Sequence, residues 1–459
     1  MTYLVKISDK DTNGKDCAFI SVLDETQNLM VCCVDINLSK LIFRNKTPLE
    51  AALDLLLIAS TVYTLDRSIE RKRVLDNWTR RISVKIPVHS AKLWTKANKY
   101  LSECLNFLSG DEWEFIFENR TVPLYCPKQR KKKTNDLSLA LPAPDVASLF
   151  SGGVDSLAGT IDWLESNADK TIALVGHHDP TISGVNSVQQ RVFDAIYQHY
   201  GNRIVHFFSG IGPLRYKRQE KENKEQETTT RSRSFLFLSM GIFVADMIGQ
   251  NITVLIPENG TIALNVPLTP SRRGACSTRT AHPHYLNLFQ RMLETVKLSH
   301  CIINPLLTKT KGEVLCMCQN LPLIKMILAH TVSCAKCGHT RWWKNRNANS
   351  CGACMPCIYR RAAFHKFGVD SEVYGYDICA GDIDPDDRKS ESANDLRACL
   401  FFLSKNYSLD DIAQILWTNG NIASERLQDH VATISRAMEE IRQLFRDKGT
   451  KRIKQLANL

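Results

Sequence analysis

Val146-Ala147-Ser148-Leu149-Phe150-Ser151-Gly152-Gly153-Val154-Asp155-Ser156 is the stretch on which the fold turns. A short apolar run stops at a Gly-Gly pair, and helical patterning takes over from Ser156 to Glu165. The order is strand, loop, helix. Two glycines let the chain turn tightly and bring bare backbone close to an anion. Free N–H groups and the dipole at a helix start favour negative charge there. Ser151 and Ser156 add hydroxyl donors. Asp155 repels a phosphate, so it either orders the loop or holds Mg2+. No G-x-x-x-x-G-K-[ST] occurs, so this is not a Walker A loop. The plain alternative is a tight turn with Asp155 as helix cap.

The flanking sequence fits a parallel sheet. Val146–Phe150, Thr171–Gly176, Arg203–Phe208, Ile252–Ile256 and Cys301–Asn304 are β-type runs. Ser156–Glu165, Val188–Tyr200, Phe235–Ile248, Leu286–Lys297 and Lys311–Cys318 pattern as helices. This alternation predicts an α/β fold with helices on both faces of a parallel sheet. Phe235–Ile248 is apolar all round, as a helix buried against such a sheet is. Upstream, Tyr3–Ile7, Ala18–Leu23, Met30–Val34 and Trp113–Glu118 read as strands and Leu49–Ile69 as a helix. The expected layout is an N-terminal α+β domain (1–126), a basic linker (127–145), the α/β domain (146–380) and a C-terminal helical region (381–459).

Composition narrows the class. The chain has 459 residues, 44% hydrophobic and 23% charged, which suits two or three folded domains and excludes a disordered or collagen-like protein. Its most apolar stretch, Phe235–Ala245, is too short to span a bilayer, and the first residues lack the pattern of a signal peptide. A cytoplasmic protein without a membrane partner is expected. The net charge is +11, and Lys128, Arg130, Lys131, Lys132 and Lys133 carry nearly half of it. A solvated linker explains that run. Contact with nucleic acid is allowed but not required, because no aromatic residues interleave it.

The cysteines are both scattered and clustered. Cys351-Gly-Ala-Cys354-Met-Pro-Cys357 sets three thiols at a two-residue spacing, with Cys334 and Cys337 upstream. Thiolates in this pattern suit a closed tetrahedral Zn2+ site. Three close cysteines also occur in iron–sulfur sites. Spacing alone leaves the metal and the fourth ligand open.

Ser151–Ser156 resembles the SGGxDS loop of PP-loop ATP pyrophosphatases, which split ATP to AMP and pyrophosphate. Taken with Cys334…Cys351-Gly-Ala-Cys354-Met-Pro-Cys357-Ile-Tyr-Arg360, it resembles the 7-cyano-7-deazaguanine synthase (QueC-like) family. Arg233-Ser234-Phe-Leu-Phe-Leu and Asn304-Pro305-Leu306…Lys311-Gly-Glu313 resemble two further family blocks, with Ser234 where the family has Asn. The resemblance covers about residues 146–370. Four more segments look like the QueC-like (QatC) group of the Qat anti-phage system. They are Pro257-Glu258-Asn259-Gly260, Asn265-Val-Pro267-Leu268, Ser277–Pro283 and Tyr63…Asp66-Arg67.

The resemblance implies a PP-loop fold that uses ATP and Mg2+. It implies Zn2+ on Cys334, Cys351, Cys354 and Cys357, preferring Cys334 to Cys337. It also implies adenylation of a 7-carboxy-7-deazaguanine-like acid and transfer to an amine. That amine is ammonia, leading to the nitrile, or belongs to a partner protein of the same defence operon. The extra N-terminal and C-terminal regions favour a partner protein. Ser151, Gly152, Gly153, Val154, Asp155, Ser156 and His177 are the expected nucleotide contacts, and Asp155, Lys311 and Arg233 the expected catalytic set. Glu258, Asn259, Arg279 and His282 are expected at the substrate: Glu258 or Asn259 on a guanine-like edge, Arg279 on its carboxylate, His282 as base. His177-His178-Asp179 reads as a strand-end turn or adenosine contact before a metal site. A non-catalytic nucleotide sensor is the remaining reading.

Overall fold

The computed structural model describes residues 1–8, 16–44, 46–127, 143–180, 185–214, 227–272 and 279–459. The basic run Lys128–Lys133 and the pair Ser277-Thr278 lie outside the described residues. The strands are β1 (Thr2–Ser8), β2 (Phe19–Asp24), β3 (Leu29–Ile36), β4 (Arg81–Val88), β5 (Glu112–Asn119), β6 (Val146–Leu149), β7 (Ile172–His178), β8 (Ile204–Pro213), β9 (Thr253–Leu255) and β10 (Ile302–Ile303). The helices up to residue 295 are α1 (Glu50–Ser68), α2 (Ala91–Ser109), α3 (Val154–Ser166), α4 (Val185–Tyr200), α5 (Arg233–Ile248), α6 (Gly260–Leu264) and α7 (Pro283–Thr295). They continue as α8 (Lys311–Cys316), α9 (Leu321–Ile327), α10 (Met355–Phe367), α11 (Asn394–Ser404), α12 (Leu409–Asn419), α13 (Ser424–Lys448) and α14 (Lys451–Leu456). No helix among the described residues is long and apolar enough to cross a membrane.

All ten strands join one mixed sheet, in the order β10-β9-β6-β7-β8-β3-β2-β1-β4-β5. The five strands from β6 onward pair in parallel. Strand β8 is the joint: Ile204–Gly210 pairs in parallel with β7, and Ile211–Pro213 pairs antiparallel with β3. The N-terminal strands therefore extend the same sheet. β4 and α2 go beyond the expected elements. In β4, Ile82, Val84, Ile86 and Val88 point inward at period two.

Side chains alternate between two cores. Ala147, Leu149, Ala173 and Val175 face one core together with α1, α2, α5 and α7. Val146, Ile172 and Leu174 face the other with α3, α4, α8 and α9. Helix α5 is buried between the sheet and α1, which explains its apolar surface all round. Each fully buried Leu, Ile or Phe contributes about 1.5–3 kcal/mol. A third core joins the cysteine segment to α11–α14.

A nearly dry charge network docks the N-terminal region on α5. Asp66 of α1 accepts hydrogen bonds from Ser232 N at 2.9 Å and Ser232 Oγ at 2.8 Å, just before α5 starts with Arg233. Asp66 also pairs with Arg80. Arg80 and Arg71 both pair with Asp111, at 2.6 and 2.7 Å. Burial works to raise the Asp66 pKa, but Arg80 and Ser232 hold it below the ordinary value. Charges this buried persist only when paired.

Candidate functional site

The Ser151–Ser156 loop leaves the carboxyl end of β6, a strand flanked by β7 and β9. Ligands of open parallel sheets bind outside that edge. Gly152 has φ +78°, and a side-chain carbon there would meet the Gln189 Cα of α4 at 3.1 Å. Only glycine fits both constraints. Gly153 N donates to Ser151 Oγ at 3.3 Å, and Ser156 Oγ donates to Gly153 O at 3.1 Å. The two serine hydroxyls lie 3.2 Å apart. The loop is thus ordered by its own polar groups.

Asp155 is the hub. Its Oδ2 is ion-paired with Lys311 Nζ and accepts from Asn259 Nδ2 at 3.1 Å. Its Oδ1 is buried with no hydrogen-bond partner. Burial first, and the Asp155 carboxylate second, push the Glu258 pKa up to about 8 despite Lys311. Two carboxylates and an ammonium thus meet over the loop. They border a cavity of about 170 Å³ that is also lined by Ser151, Gly153, Val332 and Ser333.

Local sequence explains how these groups arrive. Glu258 and Asn259 follow β9, and Asn259 caps α6 by accepting from Ile262 N at 3.2 Å. Asn304, after β10, locks the turn: its Nδ2 donates to Glu258 O at 2.8 Å. Lys311 opens α8 behind a capping box of Thr310 and Glu313. Glu440 of α13 supports that turn by accepting from Thr310 Oγ1 and from Gly312 N at 3.2 Å. A C-terminal helix therefore fixes Lys311 beside the Ser151–Ser156 loop.

The other expected site residues lie elsewhere. His177 is fully buried. Arg233 Nε donates to its Nδ1 at 3.4 Å, so its Nε2–H donates to Ile211 O at 2.8 Å. Burial, then the Arg233 charge, lowers its pKa to about 3. Both ring nitrogens are engaged within the protein, and the ring offers a ligand no free nitrogen. Arg233 also donates to His177 O at 3.2 Å, so it braces the end of β7 and does not border the loop cavity.

The expected substrate block divides in two. Glu258 and Asn259 join Asp155 at the Ser151–Ser156 loop. Arg279 instead lies 4.4 Å over the Phe107 ring and donates to Phe107 O at 2.7 Å. His282 caps α7, its Nδ1 accepting from His284 N at 3.2 Å, and packs on Phe107 and Gly420. Burial, then Arg279, lowers its pKa to about 3. Neither Arg279 nor His282 borders the loop cavity.

Cys334, Cys351, Cys354 and Cys357 converge, their sulfurs all within 4.8 Å of one another. Lys336 N and Cys351 N each donate to Cys334 Sγ at 3.3 Å, and Cys354 N donates to Cys351 Sγ at 3.3 Å. Gly352, at φ +77°, lets the turn pass within 2.1 Å (measured from an added side-chain carbon) of Tyr376 O. Cys337 is exposed and outside the group. Four convergent thiols are a donor set compatible with Zn2+.

Residues 276–368 match the family model of the queuosine biosynthesis protein QueC. The match holds about a fifth of the chain and includes Lys311 and all four clustered cysteines. It supports a QueC-like domain of an enzymatic, ATP-using synthase family that handles 7-deazaguanine-type compounds. The Ser151–Ser156 loop lies outside the matched span. The search of curated proteins found no match.

Sequence reasoning missed Val332, Ser333, Asn304 as a turn lock, and Glu440. Asn304 sat in a recognised block without a role. Glu440 is one of many helix-surface carboxylates, and nothing in its local pattern marks it.

Proposed function

We propose that this protein is a QueC-like ATP pyrophosphatase of PP-loop type. It adenylates a 7-carboxy-7-deazaguanine-like acid and passes the acyl group to an amine on a partner protein, as part of an anti-phage defence system. The observation that carries the reading is the meeting of Asp155, Glu258 and Lys311 over the Ser151–Ser156 loop, next to the QueC-like span.

In the first step a carboxylate oxygen attacks the α-phosphorus of ATP. The bond from that phosphorus to the bridging oxygen breaks, and pyrophosphate leaves with the electron pair. The amine nitrogen then attacks the acyl carbon, loses a proton, and AMP departs. Loop N–H groups, Ser151, Ser156 and Lys311 would stabilise the charge that develops on pyrophosphate. Mg2+ supplies further charge neutralisation when bound. Asp155, with its unpartnered oxygen, and Glu258 are the carboxylates that would hold it. The cysteine cluster would hold Zn2+ as a structural staple. Arg233 and His177 act by bracing the β7 end.

The test is AMP and pyrophosphate release from ATP, with and without 7-carboxy-7-deazaguanine. Each reaction includes ammonia or the proteins of the same operon, and products are read by mass. Acid-dependent AMP with a mass-shifted protein is expected. A nitrile from ammonia would indicate a free-base synthase instead. No acid-dependent AMP in any mixture overturns the reading.

A further inference from the structure

The wall of the loop cavity that faces Gly153 is Val332-Ser333, and the next residue is Cys334 of the thiol cluster. A side-chain carbon on Gly153 would lie 3.6 Å from Val332 O and 3.7 Å from Ser333 Oγ. The wall therefore stands directly against the turn that opens α3. Ser333 brings a hydroxyl to the lining of the cavity that Asp155 and Lys311 also border.

Arg360 holds this wall from behind. It is 1% exposed and follows Cys357 by less than one turn of α10. Its Nη1 donates to Thr331 Oγ1 at 3.0 Å and Ser333 Oγ at 3.5 Å. Its Nη2 donates to Thr331 O at 3.1 Å and Leu328 O at 3.4 Å, and its Nε to Glu372 at 2.7 Å. Every guanidinium nitrogen is thus engaged within the protein, so Arg360 acts on a ligand only through the segment it holds. Pro356, in the first turn of the same helix, borders the cavity as well. Residues 331–334 are strung between two anchors, Arg360 and the thiol cluster, and residues 351–360 supply most of both.

We propose that Ser333 is a phosphate contact of the bound nucleotide. Arg360 and the metal at the cysteine cluster are its positioning device, so metal occupancy and nucleotide affinity are thermodynamically linked. This rests on the reading of the Ser151–Ser156 loop as a nucleotide site. The physical reason is that a metal bond to Cys334 fixes the backbone one residue from the contacting hydroxyl. Without it, Cys334 Sγ is held by the N–H bonds from Lys336 and Cys351 and by thiol contacts with Cys351, Cys354 and Cys357. Linkage is reciprocal: if metal tightens nucleotide, nucleotide retains metal by the same factor.

The experiment titrates the full chain with Mg2+ and α,β-methylene-ATP, an analogue whose α–β bridge the proposed reaction cannot break, before and after chelation. Metal content and far-ultraviolet circular dichroism are followed in parallel. Ser333→Ala is expected to weaken the analogue about tenfold with metal content unchanged, the loss of one hydrogen bond to a charged group. Arg360→Lys should weaken it while retaining metal. Saturating analogue should slow metal loss to a chelator. Wild-type affinity in both Ser333→Ala and the folded, metal-free protein overturns the proposal. Should chelation unfold the chain, Ser333→Ala alone decides. If the wild-type chain binds no analogue, or Lys311→Met leaves its affinity unchanged, the nucleotide reading fails and this linkage fails with it.

Discussion

Lys311 Nζ and Asp155 Oδ2 form a buried ion pair across 156 residues of sequence. The pair ties α8 to the Ser151–Ser156 loop, so in the proposed reaction one contact serves both folding and chemistry. Lys311→Met leaves Asp155 with a buried uncompensated charge. It should cost about 3–5 kcal/mol in denaturant unfolding. Acid-dependent AMP release should fall by about 10²–10³. Adding Asp155→Asn should recover stability without recovering turnover. Wild-type turnover in Lys311→Met would remove the lysine from the mechanism.

Glu440 reaches the same turn from the far end of the chain. It accepts from Gly312 N and Thr310 Oγ1 and pairs with Lys366 at 2.9 Å. Glu440→Ala should destabilise by about 1–3 kcal/mol, because donors lose their acceptor inside the protein. It should lower kcat more than it raises KM, since Lys311 is displaced and the rest of the loop is untouched. Glu440→Gln, which keeps the shape, should lose less. Equal effects of both changes on unfolding alone would make Glu440 purely structural.

Metal content separates the two upstream cysteines. Elemental analysis of Cys334→Ser, Cys351→Ser, Cys354→Ser and Cys357→Ser proteins should show the metal lost or strongly depleted. Cys337→Ser should retain it, because Cys337 is exposed and outside the converging sulfurs. Loss of metal in Cys337→Ser would redraw the ligand set.

Acid should destabilise the fold through its neutral histidines. Burial and a neighbouring arginine lower His177 and His282 to about 3. The unfolded chain takes up their protons near pH 6.5, while the folded chain stays unprotonated. Their contribution is therefore complete above pH 6.5 and is lost as pH falls towards 3, reaching about 2 kcal/mol each by pH 5. His177→Gln should flatten part of the slope of unfolding free energy between pH 6.5 and 5. A wild-type slope in that variant would place the titration elsewhere.

The parallel core was legible from residue patterns. β6, β7, β8, β9 and β10 lie where the apolar runs place them, and β6 and β7, buried on both faces, read as nearly continuous apolar residues. The role of β8 was not legible. Its last three residues look like a loop, and only the arrival of β3 turns them into a strand. The strand–loop–helix at Ser151–Ser156 was readable because its residues are consecutive. Asn259 was read as a base contact, yet it donates to Asp155, since a side chain's neighbours across the sheet edge leave no local mark.

By itself the sequence determined the strand–loop–helix unit at Ser151–Ser156, the alternation that builds a parallel sheet, and the thiol spacing from Cys351 to Cys357. Each depends on residues close in the chain, where backbone geometry alone sets which side chains meet. Only the tertiary structure decided that Cys334 completes the thiol group, that Glu258 and Lys311 join Asp155, that Arg279 and His282 pack against α2, and that Ser333 walls the cavity. Those meetings depend on how the sheet twists and the helices pack, which is a sum of many weak burial terms over the whole chain. No single stretch of sequence records that sum.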